Sequence, residues 1–385
     1  MDHEGLGFSL EEVFVIFLSG AGRICGKAVN MDDGKSFLID GRAVPLLLAV
    51  LAAAAVLSAA LASGLGPVSV APGETLRILA SRLPFAGDLI EHTWSATNER
   101  IVMSLRLPRV LLGMTVGASL AVTGVTMQAL VRNQLADPFI LGVSSGAAAA
   151  ATLGMLFGVF SFLGAYSLSI SAFLGSAATI TAVYALSRVN GRINIPQLLL
   201  SGVAVAMIMD GVTRIITLSA PNALGLHNAS FWMAGSLAGA RWSYLTLPFA
   251  VLVLCMAALM LNHRALNLLL LGEESAATLG VDVRRTHKLL VLLASLMAGT
   301  TIAVSGTIGF VGLMVPHFTR LLVGSDHKKV LPVAALLGSV LVVWTDVAAR
   351  MVIAPEELPV GILTAVAGGP VFIWMLRRRG GGRAR

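Results

Sequence analysis

Apolar residues run along the chain in ten blocks, each close to the roughly 20 residues needed to cross a bilayer as a helix. They cover 43 to 63, 108 to 130, 138 to 160, 166 to 188, 197 to 219, 244 to 262, 287 to 306, 308 to 324, 330 to 348 and 359 to 376. The blocks from 138 to 188 and from 287 to 348 are almost continuous, which brackets the count between nine and eleven. The pattern predicts an all-α, polytopic membrane protein of about ten transmembrane helices. It divides the chain into a cytoplasmic amino-terminal extension (1–41), a ten-span domain (42–379) and a cytoplasmic tail (380–385). Within the extension, Val13 to Leu18 is too short to span and lacks the basic lead of a signal peptide. Met31 opens a segment that runs straight into the first span, so it is a candidate alternative start, and residues 1–30 are assigned no function.

Composition supports a chain dissolved in lipid: 56% of residues are hydrophobic and 12% charged, with a mean hydropathy of +0.86. The 40 glycines suit helices that pack closely without a hydrophobic driving force between them. Gly113/Gly117, Gly142/Gly146, Gly154/Gly158 and Gly235/Gly239 have the spacing of packing seams. The net charge of +7 is scattered between apolar runs and not gathered into a stripe with interleaved aromatics, which argues against nucleic acid. Cys25 and Cys255 lie in unrelated contexts and form no disulfide framework or metal cluster.

Basic residues set the orientation. With the amino terminus in the cytoplasm, Arg77, Arg82, Arg100, Arg106, Arg109, Arg241 and Arg350 fall on the outer side and Arg214 within a span, leaving 19 of 27 inside. Gly117-Ala-Ser-Leu-Ala-Val-Thr-Gly124 in span 2 echoes Gly299-Thr-Thr-Ile-Ala-Val-Ser-Gly306 in span 7. An odd separation reverses direction through the membrane, the trace of an inverted repeat of spans 2–5 and 7–10.

Chemistry is sparse. Gly34-Lys35-Ser36 ends like a phosphate-binding loop, but Val29 stands where that pattern requires glycine, so any ATP must be bound by another chain. Asp210 and Arg214, four residues apart in span 5, share a helical face. They either neutralise each other or form a polar patch on a pathway. Asp346 lies near a span end and His317 near the inner face, so no proton or sodium relay is visible, which disfavours a secondary transporter. No reactive or metal-ligand spacing points to a membrane-embedded enzyme, and methionines such as Met207, Met209 and Met233 read as packing residues before haem ligands. Leu271 to Arg285, polar and cytoplasmic, looks like a docking surface. Arg106-Leu107-Pro108-Arg109 reads first as a snorkelling pair at the outer mouth of span 2.

From about Arg106 to Arg379 the chain resembles the FecCD-type permeases of ABC importers for ferric siderophores, haem and cobalamin. The resemblance is carried by Arg106-Leu107-Pro108-Arg109, by Met127-Gln128-Ala129-Leu130 through Arg132-Asn133 to Leu135-Ala136-Asp137-Pro138, and by Leu141-Gly142-Val143-Ser144-Ser145-Gly146. It continues through Phe231-Trp232-Met233-Ala234-Gly235-Ser236-Leu237, Gly309-Phe310-Val311-Gly312-Leu313-Met314-Val315-Pro316-His317 and Glu357-Leu358-Pro359-Val360-Gly361. Gln134 departs from the family, which usually has proline there. The resemblance implies a permease subunit in the bacterial inner membrane, paired with a second copy of itself or a close paralogue around a path lined partly by span 5. Two cytoplasmic ATPase subunits using ATP and Mg, and a periplasmic or lipid-anchored binding protein, are the implied partners; this chain itself is expected to hold no cofactor, metal or catalytic residue. By position, Glu273, Glu274, Ala276, Ala277, Leu279 and Gly280 fall on the ATPase-coupling helix, Asn194 and Gln197 at an inner gate together with the pathway candidates Asp210 and Arg214, and Arg106, Arg109 and Arg350 at the binding-protein docking surface. An iron chelate is the expected cargo, with cobalamin the alternative.

Overall fold

The computed structural model describes residues 43–82, 90–189 and 192–380, so the assignments made to residues 1–41 and to 381–385 lie outside it. Regular secondary structure in these residues is helical apart from a short ribbon pairing Arg188–Val189 with Arg192–Ile193. In order, the helices are α1 (Val44–Gly64), α2 (Pro72–Ala80), α3 (Ala96–Val131), α4 (Val143–Phe157), α5 (Ser167–Leu186), α6 (Ile195–Leu218) and α7 (Ala223–Met233). They continue with α8 (Trp242–Leu261), α9 (His263–Leu269), α10 (Glu273–Thr278), α11 (Val283–Ser305), α12 (Val311–Val323), α13 (His327–Met351) and α14 (Val360–Gly380). Seven of them (α1, α3, α5, α6, α8, α11 and α13) are long and apolar enough to cross a membrane, and α4, α12 and α14 supply three shorter apolar helices. Each of the ten falls on one of the ten blocks read from the sequence.

Local chemistry sets the boundaries. Asn194, Asp282 and Asp326 cap α6, α11 and α13 by accepting backbone N–H groups of Gln197, Arg285 and Lys328. Gly142 (φ 73°) separates a short 3-10 turn at Pro138–Leu141 from α4, and shortens the block that began at 138. Phe310 enters α12 in the same left-handed conformation (φ 64°), so the second apolar helix of each half is preceded by a left-handed residue and is short. The lengths from α3 to α6 and from α11 to α14 therefore run in parallel, long, short, long, long, in keeping with the internal echo. Both copies of that echo lie in the core.

The helices divide sharply by burial. In α3, 89% of the most apolar stretch is buried, and in α11 72%, whereas α6 has only 17% and α1, α5 and α8 28% each. Glycine makes the centre possible. A Cβ on Gly124 would lie 1.8 Å from the carbonyl oxygen of Gly312 on α12, and one on Gly117 would lie 2.1 Å from that of Gly338 on α13. Gly146 and Gly175 bring α4 and α5 together in the same way. The Gly113/Gly117 and Gly142/Gly146 spacings therefore mark true seams. Gly235/Gly239 does not: Gly235 (φ 80°) sits in a turn against Thr307, and Gly239 meets nothing within 4 Å.

Candidate translocation and coupling sites

Four segments meet at the end of the bundle that the charge bias marks as outer. The last carbonyls of α1 have no helical partners, and arginines from two other helices supply donors: Arg106 Nη1 donates to Gly64 O at 2.7 Å, and Arg350 Nη1 to Leu65 O at 2.9 Å. A second Arg106 donor reaches Val68 O. Arg109 lies 2.9 Å from Asp346 and 2.8 Å from Glu357, and Arg350 Nε lies 3.1 Å from the other Asp346 oxygen. Asp346 is therefore shared by two guanidinium groups.

The outward-facing docking role read for Arg106, Arg109 and Arg350 does not match this arrangement. All three are buried, at 6%, 7% and 2% exposure, and each is engaged by hydrogen bonds or ion pairs within the chain. The positive-inside bias made three outer arginines look purposeful; the acceptors that hold them, on α1 and α13 and in the loop before α14, are distant in sequence and were missed.

The motifs Phe231–Leu237 and Glu357–Gly361 converge just below on Ser305–Thr307, the segment immediately before Gly309–His317. Ser236 N–H donates to Ser305 O at 2.8 Å, Gly361 N–H to Gly235 O at 3.1 Å, and the Thr307 hydroxyl to Met233 O. A Cβ on Gly306 (φ 63°) would lie 2.0 Å from Trp232 O, and one on Gly361 would lie 2.2 Å from Ala234 O. Two separated motifs and the segment 305–307 thus form one backbone knot that fixes the end of the half-length helix α7. In the motif beginning at Met127, buried Gln128 accepts from Arg320 and donates to Leu313 O, tying α3 to α12. Only the motif match drew attention to Gln128, since a lone glutamine in an apolar helix carries little signal.

At the inner end, Gly272 (φ 111°) and Gly280 (φ 86°) bracket α10, letting the chain turn abruptly on both sides. Ala276 is buried, while Glu274, Ala277 and Leu279 are exposed and Glu273 is half-buried. Glu273 pairs with Arg132 at 3.4 Å, and Arg132, itself left-handed (φ 53°), ends α3. The presumed coupling segment is thus tied to the most buried helix of the core. Asn194 and Gln197 join α6 to α5, because the Gln197 side chain donates to Leu186 O at 3.0 Å.

Asp210 and Arg214 depart from mutual neutralisation. Both side chains are exposed, and the ion pairs among the described residues do not include one between them. They stand eight and four residues before Leu218, roughly 12 and 6 Å along the helix axis, among exposed Met207, Ile208 and Ile215. An ionised side chain on a lipid-facing surface at that depth is costly, so this face of α6 fits an aqueous path or a partner subunit. Asp210→Asn combined with Arg214→Gln should cut transport several-fold while assembly, followed by gel filtration, stays normal; unchanged uptake would return the pair to a bystander role.

Among the described residues no three of His, Cys, Asp and Glu gather as a metal site. The model of the FecCD transport family matches residues 47–378. The chain is 43% identical to the hemin transport system permease protein HmuU of Yersinia pestis, over 74% of this chain and 86% of that one. It is also 43% identical to the cobalamin import system permease protein BtuC of Halobacterium salinarum, over 74% and 75%, and 40% to the Fe(3+) dicitrate transport system permease protein FecD of Escherichia coli, over 74% and 88%. Among solved structures, an inward-facing metal-chelate type ABC transporter superposes with a TM-score of 0.75 at 30% identity, covering 87% of this chain and 99% of the other. With the family model spanning most of the sequence, the chain belongs to the FecCD transport family.

Proposed function

We propose that this chain is the multi-pass permease subunit of an ATP-binding-cassette importer in the bacterial cytoplasmic membrane, and that it moves an iron chelate, a ferric siderophore or haem, into the cell. The observation that carries the reading is α6, a membrane-length helix whose exposed face holds Asp210 and Arg214. A second copy of the chain placed against the exposed α6 surface would enclose a path and remove both charges from lipid. Relatives named for haemin and for iron citrate support the cargo class, and those named for cobalamin and vitamin B12 keep that cofactor as the second reading.

ATP hydrolysis is assigned to a separate cytoplasmic subunit that would press on α10. Exposed Leu271 and Leu279 flank that helix, apolar side chains that water leaves unsatisfied and a partner groove would cover. Ala277→Arg, on the exposed side of α10, should reduce uptake to background while the subunit remains assembled. Retained substrate-stimulated ATPase activity with normal uptake would remove α10 from the coupling role. For a binding protein to dock through Arg106, Arg109 and Arg350, its carboxylates would have to replace the internal acceptors these groups now hold.

The deciding measurement is uptake into vesicles containing the permease with its ATPase and binding protein, using labelled ferric siderophore, haem and cobalamin in parallel. ATP-dependent accumulation of an iron chelate is expected. Accumulation of cobalamin alone would change the cargo, and uptake driven by a proton gradient without ATP would overturn the mechanism.

A further inference from the structure

A crevice of about 300 Å³ opens between α5 and α11 near the inner end of the bundle, lined by Ile180, Thr181, Tyr184, Lys288, Val291, Leu292 and Ser295. Its lining changes character with depth. On α5 the order from the cytoplasmic end inward is Tyr184, Thr181 and Ile180, with Arg188 in the ribbon just beyond the end of that helix; on α11 it is Lys288, then Val291 and Leu292, then Ser295. Basic groups stand at the mouth, hydroxyls and an aromatic ring below them, and apolar side chains along the wall.

We infer that this crevice is a binding site for an anionic phospholipid of the inner leaflet, with the headgroup phosphate at Lys288 and Arg188 and an acyl chain against Val291, Leu292 and Ile180. The Arg188 guanidinium is held 5.9 Å above the centre of the Tyr184 ring, a cation–π arrangement that keeps it beside the mouth. Charge at the mouth is not cancelled locally. The acidic side chain nearest in sequence, the cap residue Asp282, is engaged with Arg285 at 3.1 Å, and Lys288 forms none of the ion pairs found among the described residues. Basic pockets between transmembrane helices on the cytoplasmic side suit anionic headgroups.

A second observation points to a ligand independently. Ser295 lines the deep part of the crevice, is 8% exposed, and its hydroxyl has no hydrogen-bond partner. Serines elsewhere in these helices return their hydroxyls to the backbone, as Ser305 does to Thr301 O at 2.9 Å. A buried hydroxyl without an acceptor is unfavourable, and Ser295 lies seven residues, roughly 10 Å, deeper than Lys288. An ester oxygen of a lipid entering from the inner leaflet would supply the missing acceptor; a free phosphate ion at the mouth would not reach it. The occupant favoured is therefore the whole lipid.

The test uses the full chain purified in a neutral detergent and titrated with dioleoylphosphatidylglycerol, with dioleoylphosphatidylcholine, or with glycerol 3-phosphate. Binding to the folded state raises the melting temperature, and a rise of roughly 2 °C or more is expected for phosphatidylglycerol alone. Lys288→Gln with Arg188→Gln should abolish that rise. Leu292→Trp, which blocks the crevice from a position already 62% exposed and so leaves the core intact, should do the same with both charges present. An equal rise with phosphatidylcholine, a rise with glycerol 3-phosphate, a rise that survives either variant, or no rise at all would overturn the assignment.

Discussion

Replacing Asp346 with alanine is expected to leave little folded permease in the membrane. The carboxylate is buried, lies 2.9 Å from Arg109 and 3.1 Å from Arg350, and offers both guanidinium groups the same acceptor. Its removal does not return those groups to water, because Arg109 and Arg350 are themselves almost wholly enclosed. Breaking a buried ion pair from one side costs about 3–5 kcal/mol, a large part of the roughly 5–15 kcal/mol that holds an ordinary domain folded. The damage spreads beyond the pair, since Arg350 also caps α1 through Leu65 O. Asp346→Asn keeps an acceptor oxygen and should fall between wild type and alanine. Glu357→Gln is the useful contrast: that side chain is itself 28% exposed, glutamine keeps an acceptor oxygen, and Arg109 retains Asp346 at 2.9 Å, so the loss should be much smaller. Melting temperature and the yield of monodisperse protein after detergent extraction measure all three. An Asp346→Ala protein that melts with the wild type would show that the network does not hold the outer end together.

The number and positions of the spans were legible because lipid demands long apolar helices, and the polar residues between them stop each helix where a cap or glycine is available. What hydropathy did not reveal is which helices form the centre. α3 and α6 are almost equally apolar, yet 89% of the most apolar stretch is buried in one and only 17% in the other. In a soluble protein that contrast would appear as a polar stripe on the exposed helix; in a bilayer both faces are apolar and the signal disappears. The remaining signal is small residues, and it is ambiguous. Gly117, four residues after Gly113, marks a backbone crossing, while Gly239, four residues after Gly235, marks none.

The candidate site was legible where it is local. The polar segment after the sixth span forms α10 between two left-handed glycines, and Gly280 turns as its position implies. It was not legible where partners are remote: Arg109 meets Asp346 and Glu357 more than 200 residues later, and nothing in Arg106-Leu107-Pro108-Arg109 distinguishes a buried arginine from a docking one. The Asp210 and Arg214 spacing misled in the opposite direction. Four residues place two side chains on one face, but an exposed face with other demands on it need not join them.

Gly124→Ala should be nearly as damaging as the loss of Asp346, although it adds a single methyl group. That methyl would begin 1.8 Å from the Gly312 carbonyl oxygen and 2.6 Å from its carbon, both backbone atoms that no rotamer change can move. Reaching even a 3.0 Å separation requires α3 and α12 to part by at least about 1.2 Å. α12 cannot retreat freely, since a Cβ on Gly312 would itself meet Pro138 at 2.6 Å, and Gln128 and Arg320 bridge the same two helices. α3 is pinned on another side, where Gly117 and Gly338 make a second backbone approach. Overpacking of an ordinary core costs about 1–3 kcal/mol, and a site closed by main chain on both sides should lie at or above the top of that range. Gly239→Ala supplies the matched control, because the same methyl there meets nothing within 4 Å, the turn that holds it is not left-handed, and alanine is the less flexible residue when unfolded. Thermal melts of the two variants beside wild type should show a large drop for Gly124→Ala and none for Gly239→Ala; comparable melting of the two would mean that the α3–α12 crossing is looser than these distances require.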